Sequence, residues 1–253
     1  MSEPRDYKTE AIVIKKTKLG EADRILTLYT PHLGKIQAVA KGVRQPKSKM
    51  SGHLELLTHS MVSLARGRNL ATITGSQTIN SFRPIKDDLE LTSYALYMIE
   101  LVNQFTEDGI EDYPLFNILL EVMGKLSAGK NNDLVLRYFE VKLLDNLGYR
   151  PQLKQCVSCR TQLQPIINYF CPGAGGMLCP TCSRNNSFSY PLSVNGLKVF
   201  RMLQDEDYET IRRIKMTEAL ASELERLIRA YIKFLLEKDI KSIAWMETVK
   251  KQA

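Results

Sequence analysis

Residues 34–50 read GKIQAVAKGVRQPKSKM, and the organisation of the chain can be worked outward from this stretch. Its first half alternates apolar and polar residues, which is the pattern of a strand with one buried face. Its second half is a polar, basic loop, and no acidic residue lies between Asp23 and Glu55. Such a loop suits a polyanion backbone, although a charge run seen alone is more often only a solvated surface.

The cations of this region are the candidate phosphate ligands. They are Lys35, Lys41, Arg44, Lys47 and Lys49, and Arg66 and Arg68 in a later turn are added from charge alone. Residues 1–80 contain 13 Lys and Arg against 6 Asp and Glu, whereas residues 81–253 contain 22 of each. Because the whole net charge of +7 lies in the first third, that part is predicted to bind a polyanion. Nucleic acid and an anionic membrane surface both qualify.

The first third also has the pattern of a small β-structure. Five short β-rich runs are joined by turns containing Gly and Pro, which predicts a small barrel or sandwich. The runs are Lys8–Lys15, Asp23–Thr30, Leu33–Lys41, Leu54–Ala65 and Leu70–Ile79. Their number and size suit an OB barrel, and an SH3-like barrel fits the pattern nearly as well. Ser81–Lys86, which contains Pro84, is predicted to be the linker that leaves this domain.

From Asp87 onward the apolar period becomes helical. The predicted helices begin at Asp87, at Tyr113 (to Leu126), at Leu134 (to Leu147), at Gly196 (to Leu203) and at Thr217 (to Lys238). The fold class is therefore predicted to be α+β with several domains: a five-stranded barrel over 1–82, then an all-helical domain over 83–253. Residues 152–190 interrupt the helical pattern and are predicted to be an inserted element.

That insert contains all five cysteines of the chain. Cys156 and Cys159 form one CxxC pair, and Cys179 and Cys182 form a second pair, with 19 residues between the two pairs. Two such pairs supply the four thiolates of a tetrahedral zinc site, which predicts one structural Zn²⁺ with no open position for water. Iron–sulfur ligation by the same residues remains an alternative. Cys171 lies outside both pairs and is interpreted as a buried or free thiol.

Patterns typical of enzymes are missing from the sequence. There is no HExxH, no GxxxxGK[ST] and no GxSxG, and the acidic pairs fall at predicted helix starts, where they stabilise the helix dipole. We therefore expect a binding protein rather than an enzyme. No run of about 18 apolar residues and no apolar leader are present, so we also expect a cytosolic protein without a membrane span.

Three stretches resemble the RecO family of bacterial DNA repair and recombination proteins. Residues 20–59, GEADRILTLYTPHLGKIQAVAKGVRQPKSKMSGHLELLTH, resemble the N-terminal block of that family. Residues 170–182, FCPGAGGMLCPTC, resemble its second cysteine pair with the preceding glycines, and residues 239–246, DIKSIAWM, resemble its C-terminal Lys-Ser element. The resemblance extends over nearly the whole chain.

The resemblance implies an N-terminal OB-fold, a helical C-terminal domain and bound zinc. It implies a recombination mediator of the RecF pathway, which binds single- and double-stranded DNA and anneals complementary strands. The implied partners are RecR, RecA and the acidic C-terminal tail of single-strand-binding protein, in a bacterial cytoplasm at the nucleoid. The cations listed above fall in or near the block that would contact DNA. A cationic pocket with an apolar floor would suit the tail, with Arg137, Lys142, Arg226, Arg229 and Lys233 as candidates by charge.

Other classes of function are kept beside this one. A basic OB-fold adaptor for RNA or an anionic membrane would use the same cations, but a membrane surface favours aromatic or apolar residues among them. A metal-dependent nucleic-acid enzyme would need an open metal site or a carboxylate cluster. The aromatics of residues 1–82 are only Tyr7, Tyr29 and Phe82, so we expect mostly phosphate contacts and little base stacking.

Overall fold

The computed structural model describes residues 6–186 and 188–250. The chain divides into two compact units. The first unit extends to Ala128 and resumes at Ser242, and the second unit is Gly129–Lys241. No helix in the described part of the chain is long and apolar enough to cross a membrane.

The first unit begins with a closed five-stranded barrel. Its strands are β1 (Asp6–Leu19), β2 (Asp23–Thr30), β3 (Gly34–Ala40), β4 (His59–Ala65) and β5 (Ala71–Asn80). They close in the order β1-β2-β3-β5-β4. The pairing of β3 with β5 is parallel, and the other pairings are antiparallel. This order is that of the OB-fold, which decides between the two barrel types that the sequence left open.

Alternation along the strands fills the barrel interior. The buried core includes Ala11, Val13, Leu26, Leu28, Ala38, Ala40, Val62, Leu64 and Ile73. Three of the five predicted strands match the observed bounds to within one residue. The fourth strand starts at His59 rather than Leu54, because Gly52–Leu54 forms a 3₁₀ turn and Leu57 has a φ of 65°. A chain in that conformation cannot continue a strand.

Nine helices lie in the described part of the chain. They are α1 (Arg83–Asp87), α2 (Leu89–Phe105), α3 (Tyr113–Ser127), α4 (Asn132–Asn146), α5 (Pro180–Ser183), α6 (Val194–Asp205), α7 (Tyr208–Ile211), α8 (Glu218–Leu236) and α9 (Lys241–Lys250). The prediction of a linker over Ser81–Lys86 is wrong. Pro84 lies in the first turn of α1, where its missing N–H costs nothing, and Ile85 is fully buried.

The second unit packs α4, α6 and α8 together and carries the inserted element. Three short strands, β6 (Asn168–Cys171), β7 (Gly176–Leu178) and β8 (Tyr190–Leu192), form a sheet in the order β7-β6-β8. The sequence did not predict this sheet, because strands of three or four residues are too short to show a period. The side chains of Ser193 and Thr217 cap α6 and α8.

Candidate nucleic-acid interface and metal centre

Lys35 is the one sequence-predicted phosphate ligand that the structure buries. Its Nζ donates to the carbonyl oxygens of Asn103 at 2.8 Å and Thr106 at 2.6 Å, and Asp108 Oδ1 lies 3.4 Å away. These carbonyls belong to the C-terminal end of α2, where the helix dipole favours a cation. The charge of Lys35 is therefore used inside the unit, and we leave it out of the candidate interface.

Residues 41–49, here called the basic loop, are held against the turn between β1 and β2. The N–H of Gly42 donates to Asp23 Oδ1 at 2.7 Å, and the N–H of Arg44 donates to the carbonyl of Ala22 at 2.9 Å. The Arg44 guanidinium also donates to a carbonyl of that turn at 3.0 Å. The backbone is thus positioned by hydrogen bonds while the charged ends of its side chains remain in solvent.

The remaining predicted cations are exposed. The basic loop exposes Lys41, Arg44, Lys47 and Lys49. The turn between β4 and β5 exposes Arg66 and Arg68. Within residues 6–186 and 188–250, Lys41, Lys47 and Lys49 form no ion pair. Three uncompensated ammonium groups on one short loop create a field that attracts an anionic chain.

Strand pairing adds two cations that the sequence analysis missed. Lys18 of β1 pairs with Arg24 of β2, and Arg24 pairs with Ala40, the residue before the basic loop. Lys18 is exposed and Arg24 is half-buried. A hairpin prediction for β1 and β2 would have placed them together, because the turn between these strands is short. The candidate interface therefore extends from the basic loop onto β1 and β2.

The two groups of predicted cations lie at opposite ends of β3. Because Ala38 pairs in parallel with Ala71, the turn that precedes β5 lies beside the first half of β3, and the basic loop follows its last residue. Seven residues of strand give a span of about 20 Å. The basic loop at one end and Arg66 and Arg68 at the other therefore flank the β3 face instead of forming one cluster.

A groove of about 560 Å³ lies at the Arg66 end and is called the Tyr7 groove below. It lies between Tyr7 of β1, Gln37 of β3, the turn with Arg66 and Arg68, and Asp108. Tyr29 and Phe82 are both buried, with exposures of 0% and 3%. Tyr7 is half-buried and lines this groove.

Helix α3 and the loop before it cover the end of β2 and the start of β3, at the same end of β3 as the Tyr7 groove. The Tyr29 ring lies 6.1 Å from the Phe116 ring, and burial raises the pKa of the Tyr29 hydroxyl far above its usual value. Gly34 approaches the backbone of Ile110 so closely that a Cβ would lie 1.9 Å from the carbonyl oxygen. This part of the barrel is thus covered, whereas the Tyr7 groove beside it and the basic loop at the other end of β3 remain open.

The four cysteines of the two CxxC pairs converge on one point. Their Sγ atoms all lie within 4.8 Å of one another, and Cys159 Sγ is 3.8 Å from Cys179 Sγ. Zinc–sulfur bonds of about 2.3 Å in a tetrahedron place the sulfurs about 3.8 Å apart. The arrangement therefore fits a metal ion with four thiolate ligands, as the spacing predicted.

Local backbone structure produces this convergence. In the first pair the N–H of Arg160 donates to the carbonyl of Cys156, and Arg160 takes a φ of 61° to complete the turn. Cys179 is the N-cap of α5, and Cys182 lies within that helix. The N–H of Val157 donates to the carbonyl of Met177 in β7, which joins the first turn to the strand that leads to Cys179.

The protein environment favours thiolates at the first pair. Hydrogen bonds from the hydroxyl and backbone of Thr161 lower the pKa of Cys159 to about 6. Burial acts to raise the pKa of Cys156, but backbone N–H groups, first that of Cys159, outweigh it and lower this pKa. A hydrogen bond with Ser158 acts to lower the pKa of Cys182. Hydrogen bonds with the sulfurs of Cys179 and Cys159 outweigh this effect and raise the pKa of Cys182 to about 12. A central dication is the group that would favour four thiolates together.

Cys171 is not part of the metal centre. It lies in β6, is 3% exposed, and its sulfur accepts a hydrogen bond from Asn186 Nδ2 at 3.2 Å. The structure thus confirms the interpretation that Cys171 is buried.

The five cations named as candidates for an acidic tail do not form one site. Arg137 is buried and pairs with Glu140, Arg229 pairs with Glu225, and Lys233 pairs with Asp239. Lys142 donates to the carbonyl of Gln204, and Arg226 lies 5.9 Å from the ring centre of Tyr190. Arg226 lines a large groove of the second unit.

That groove, of about 910 Å³, lies between α6 and α8 and is called the α6–α8 groove. Lys198, Lys215 and Arg226 supply cations, and the walls include Val199, Met202, Ile214 and Leu220. The N-terminus of α6 already donates to the Glu223 carboxylate through the Ser193 N–H and hydroxyl, so the first turn of α8 is the helix N-terminus that favours an anion here. Its chemistry suits an acidic peptide with apolar side chains.

Comparison with known proteins finds the same family over both parts of the chain. Residues 1–82 match the family model for the recombination protein O N terminal, and residues 86–244 match that for the recombination protein O C terminal. A DNA repair protein RecO of Dehalococcoides mccartyi strain CBDB1 is 48% identical over 250 residues, covering 99% of this chain and 98% of the relative. That of Roseiflexus sp. strain RS-1 is 42% identical, covering 97% and 87%. That of Halalkalibacterium halodurans is 32% identical, covering 89% and 88%.

Proposed function

We propose, since this chain belongs to the RecO family and so has a role in DNA repair and recombination, that its barrel holds the backbones of single- and double-stranded DNA. On this surface complementary strands are annealed. With RecR, the protein then helps RecA onto strands coated by single-strand-binding protein, at the bacterial nucleoid. The protein acts as a mediator rather than as an enzyme.

The observation that carries this proposal is the set of exposed, unpaired ammonium groups on the basic loop. Lys41, Lys47 and Lys49 have no anionic partner among the described residues, and Lys18 and Arg24 lie beside them. Cations that no carboxylate neutralises are available to phosphates, and releasing counterions from DNA drives such binding. Phosphate contacts do not distinguish one strand from two, which supports binding of both forms.

Annealing follows from the same electrostatics. Two complementary strands repel each other through their phosphates, and a cationic surface that binds both lowers this repulsion. Base pairing between the strands then supplies the specificity, so the protein needs no contacts that read sequence.

The contacts of the loop favour DNA over a membrane surface. Val43 is 6% exposed and belongs to the barrel core, and Met50 packs against that core. These are the apolar residues that the loop region would need to insert into lipid, and they are used inside the barrel.

Annealing of coated strands is the decisive experiment. Complementary single strands covered by single-strand-binding protein are mixed with the wild type or with the triple variant Lys41→Glu, Arg44→Glu, Lys47→Glu. We expect the triple variant to lose most annealing and most binding of both DNA forms. The slope of log affinity against log salt should fall in magnitude by about 2 to 3, because each of the three lost phosphate contacts removes about 0.7 to 0.9.

A matched control reverses three exposed cations of the second unit, Lys130, Arg213 and Lys238, to Glu. It has the same net charge as the triple variant and should keep its binding of naked strands. Normal annealing by the triple variant would contradict the role of the basic loop. Equal loss in both variants would mean that net charge, not this surface, decides binding. Tighter binding of RNA than of DNA would favour the adaptor function instead.

The metal of the cysteine centre is proposed to be one structural Zn²⁺. A site with four protein thiolates leaves no position for water or substrate, which supports structure rather than catalysis. Metal analysis of protein purified from minimal medium should find one zinc per chain. Iron with acid-labile sulfide would replace this assignment with an iron–sulfur cluster.

The α6–α8 groove is proposed to receive the acidic C-terminal tail of single-strand-binding protein. A fluorescent peptide of the tail should bind, and Lys198→Ala with Arg226→Ala should weaken that binding about tenfold, whereas Lys238→Ala should not. Unchanged peptide binding in the double variant would place the tail elsewhere.

A further inference from the structure

The Tyr7 groove contains chemistry that phosphate binding alone does not use. It is lined by the half-buried Tyr7 and by the exposed Gln37, Arg66 and Arg68. A volume of about 560 Å³ falls within the range of pockets that hold small organic ligands. The combination of one aromatic ring, one amide and two guanidinium groups suits a nucleotide.

The walls of this groove are fixed. The α2–α3 loop pairs with β3 through an isolated parallel bridge between Lys35 and Asp108, and the N–H of Gly109 donates to the Lys35 carbonyl at 2.8 Å. On the opposite rim a Cβ on Gly67 would lie 2.0 Å from the carbonyl oxygen of Leu70. The turn therefore depends on glycine for its tight shape, which places Arg66 and Arg68 on either side of it.

The charge of the walls differs from that of the basic loop. Asp108, whose carboxylate pairs with Lys35, lines the Tyr7 groove, and the exposed Glu107 precedes it in the same loop. One phosphate chain can run along the arginines, but a second chain would approach these carboxylates. Because a carboxylate repels the phosphates of a second strand, the groove disfavours a duplex.

We propose that the Tyr7 groove holds one unpaired nucleotide of a DNA single strand, with its base on the Tyr7 ring and its phosphate at Arg66 and Arg68. This inference rests on the proposed function, since it assigns part of the barrel surface to one form of DNA. Bases in a duplex are stacked on their neighbours and cannot offer a face to the ring. The groove therefore gives the protein a preference for single strands, and the basic loop binds both forms.

The first test compares Tyr7→Leu with Tyr7→Phe in binding of an oligo(dT) strand and of a duplex. Leucine fills the space against the barrel core but removes the ring, whereas phenylalanine keeps the ring. We expect Tyr7→Leu to weaken single-strand binding about tenfold, to change duplex binding less than about twofold, and to leave the salt slope unchanged, because stacking releases no counterions. Tyr7→Phe should bind as the wild type does. Tyr113→Leu, which removes an exposed aromatic outside the groove, is the matched control.

The second test does not depend on affinity. An oligonucleotide with 5-iododeoxyuridine is irradiated in complex with the wild type, and the crosslinked peptide is mapped by mass spectrometry. The crosslink should fall on Tyr7 and should disappear in Tyr7→Leu.

Three results would overturn the inference. They are a crosslink elsewhere on the barrel, single-strand binding by Tyr7→Leu equal to that of the wild type, and equal loss of both DNA forms by a folded Tyr7→Leu protein. Suppose that Tyr7→Leu binds single strands as the wild type does, but that binding still depends on Lys41, Arg44 and Lys47. The role of the Tyr7 groove would then fail, while the proposed function would stand. If the wild type bound no DNA, the proposed function itself would fail.

Discussion

The basic loop and the cysteine centre differ in how their side chains are held. The four sulfurs of the centre point inward within 4.8 Å of one another, whereas Lys41, Lys47 and Lys49 are exposed and touch no partner among the described residues. A metal centre needs every ligand at once, so its members depend on one another. In the proposed complex the loop cations would contact separate phosphates, so their contributions should add.

The difference also concerns what each feature takes from the rest of the fold. The cysteine centre is made by two short turns and one hairpin within residues 152–190. The proposed DNA surface needs the pairing of β1, β2 and β3, which brings Lys18, Arg24 and Lys41 together. Damage to the centre should therefore remain local, while damage to the barrel should alter the surface as a whole.

The largest expected effect comes from removing one ligand of the centre. Cys156→Ser should lose the metal and unfold residues 152–190, because binding of a structural metal contributes on the order of 10 kcal/mol. Metal content and proteolysis of this segment measure the effect. Cys171→Ala is the control, since Cys171 lies outside the centre, and it should retain one metal per chain. Full metal content in Cys156→Ser would refute the assigned ligand set.

The next effect tests the contact between the barrel and the α2–α3 loop. Gly34→Ala places a Cβ 1.9 Å from the Ile110 carbonyl oxygen at a φ of 60°. We expect a loss of about 3 kcal/mol of unfolding free energy, from overpacking together with the cost of the left-handed conformation. Gly109→Ala has a φ of 76° and open space around it, so it isolates the conformational cost. Equal losses in chemical denaturation would contradict the packing argument.

A third comparison separates a structural lysine from a binding one. Lys35→Met leaves the carbonyls of Asn103 and Thr106 without their donor, which should cost about 1–3 kcal/mol of stability. Its effect on the salt dependence of DNA binding should be small. Lys47→Met should do the opposite, with unchanged stability and a salt slope reduced in magnitude by about 0.7 to 0.9. A large slope change in Lys35→Met would return Lys35 to the interface.

The smallest effect is a pH dependence of the barrel. Burial lowers the pKa of His59, and its hydrogen bond with Glu10 Oε2 at 2.9 Å offsets this only in part. The unfolded chain therefore binds more protons than the folded one, so stability is lost as pH falls from about 6.5 through the lower folded-state pKa. Urea unfolding at pH 7.5 and pH 5.5 should show this loss, and His59→Gln should reduce it. An identical pH dependence in His59→Gln would assign the effect to other groups.

Much of the fold could be predicted because its signals are local. The second, third and fifth strands follow period-two patterns, and three of the longer helices match within three residues at each end. Short elements such as α7 and β6–β8 were missed, because three or four residues show no period. The helix at Arg83–Asp87 was missed because proline in a first turn resembles a linker signal.

The sequence by itself determined the cysteine centre and the basic character of the first domain. Two CxxC pairs fix a four-sulfur cluster through short turns, and charge composition does not depend on folding. Tertiary structure alone decided which cations remain exposed. It buried Lys35 under the end of α2, added Lys18 and Arg24, and left Tyr7 in a groove while covering Tyr29. The physical reason is that strand register and helix coverage act between residues far apart in the chain, where local patterns carry no information.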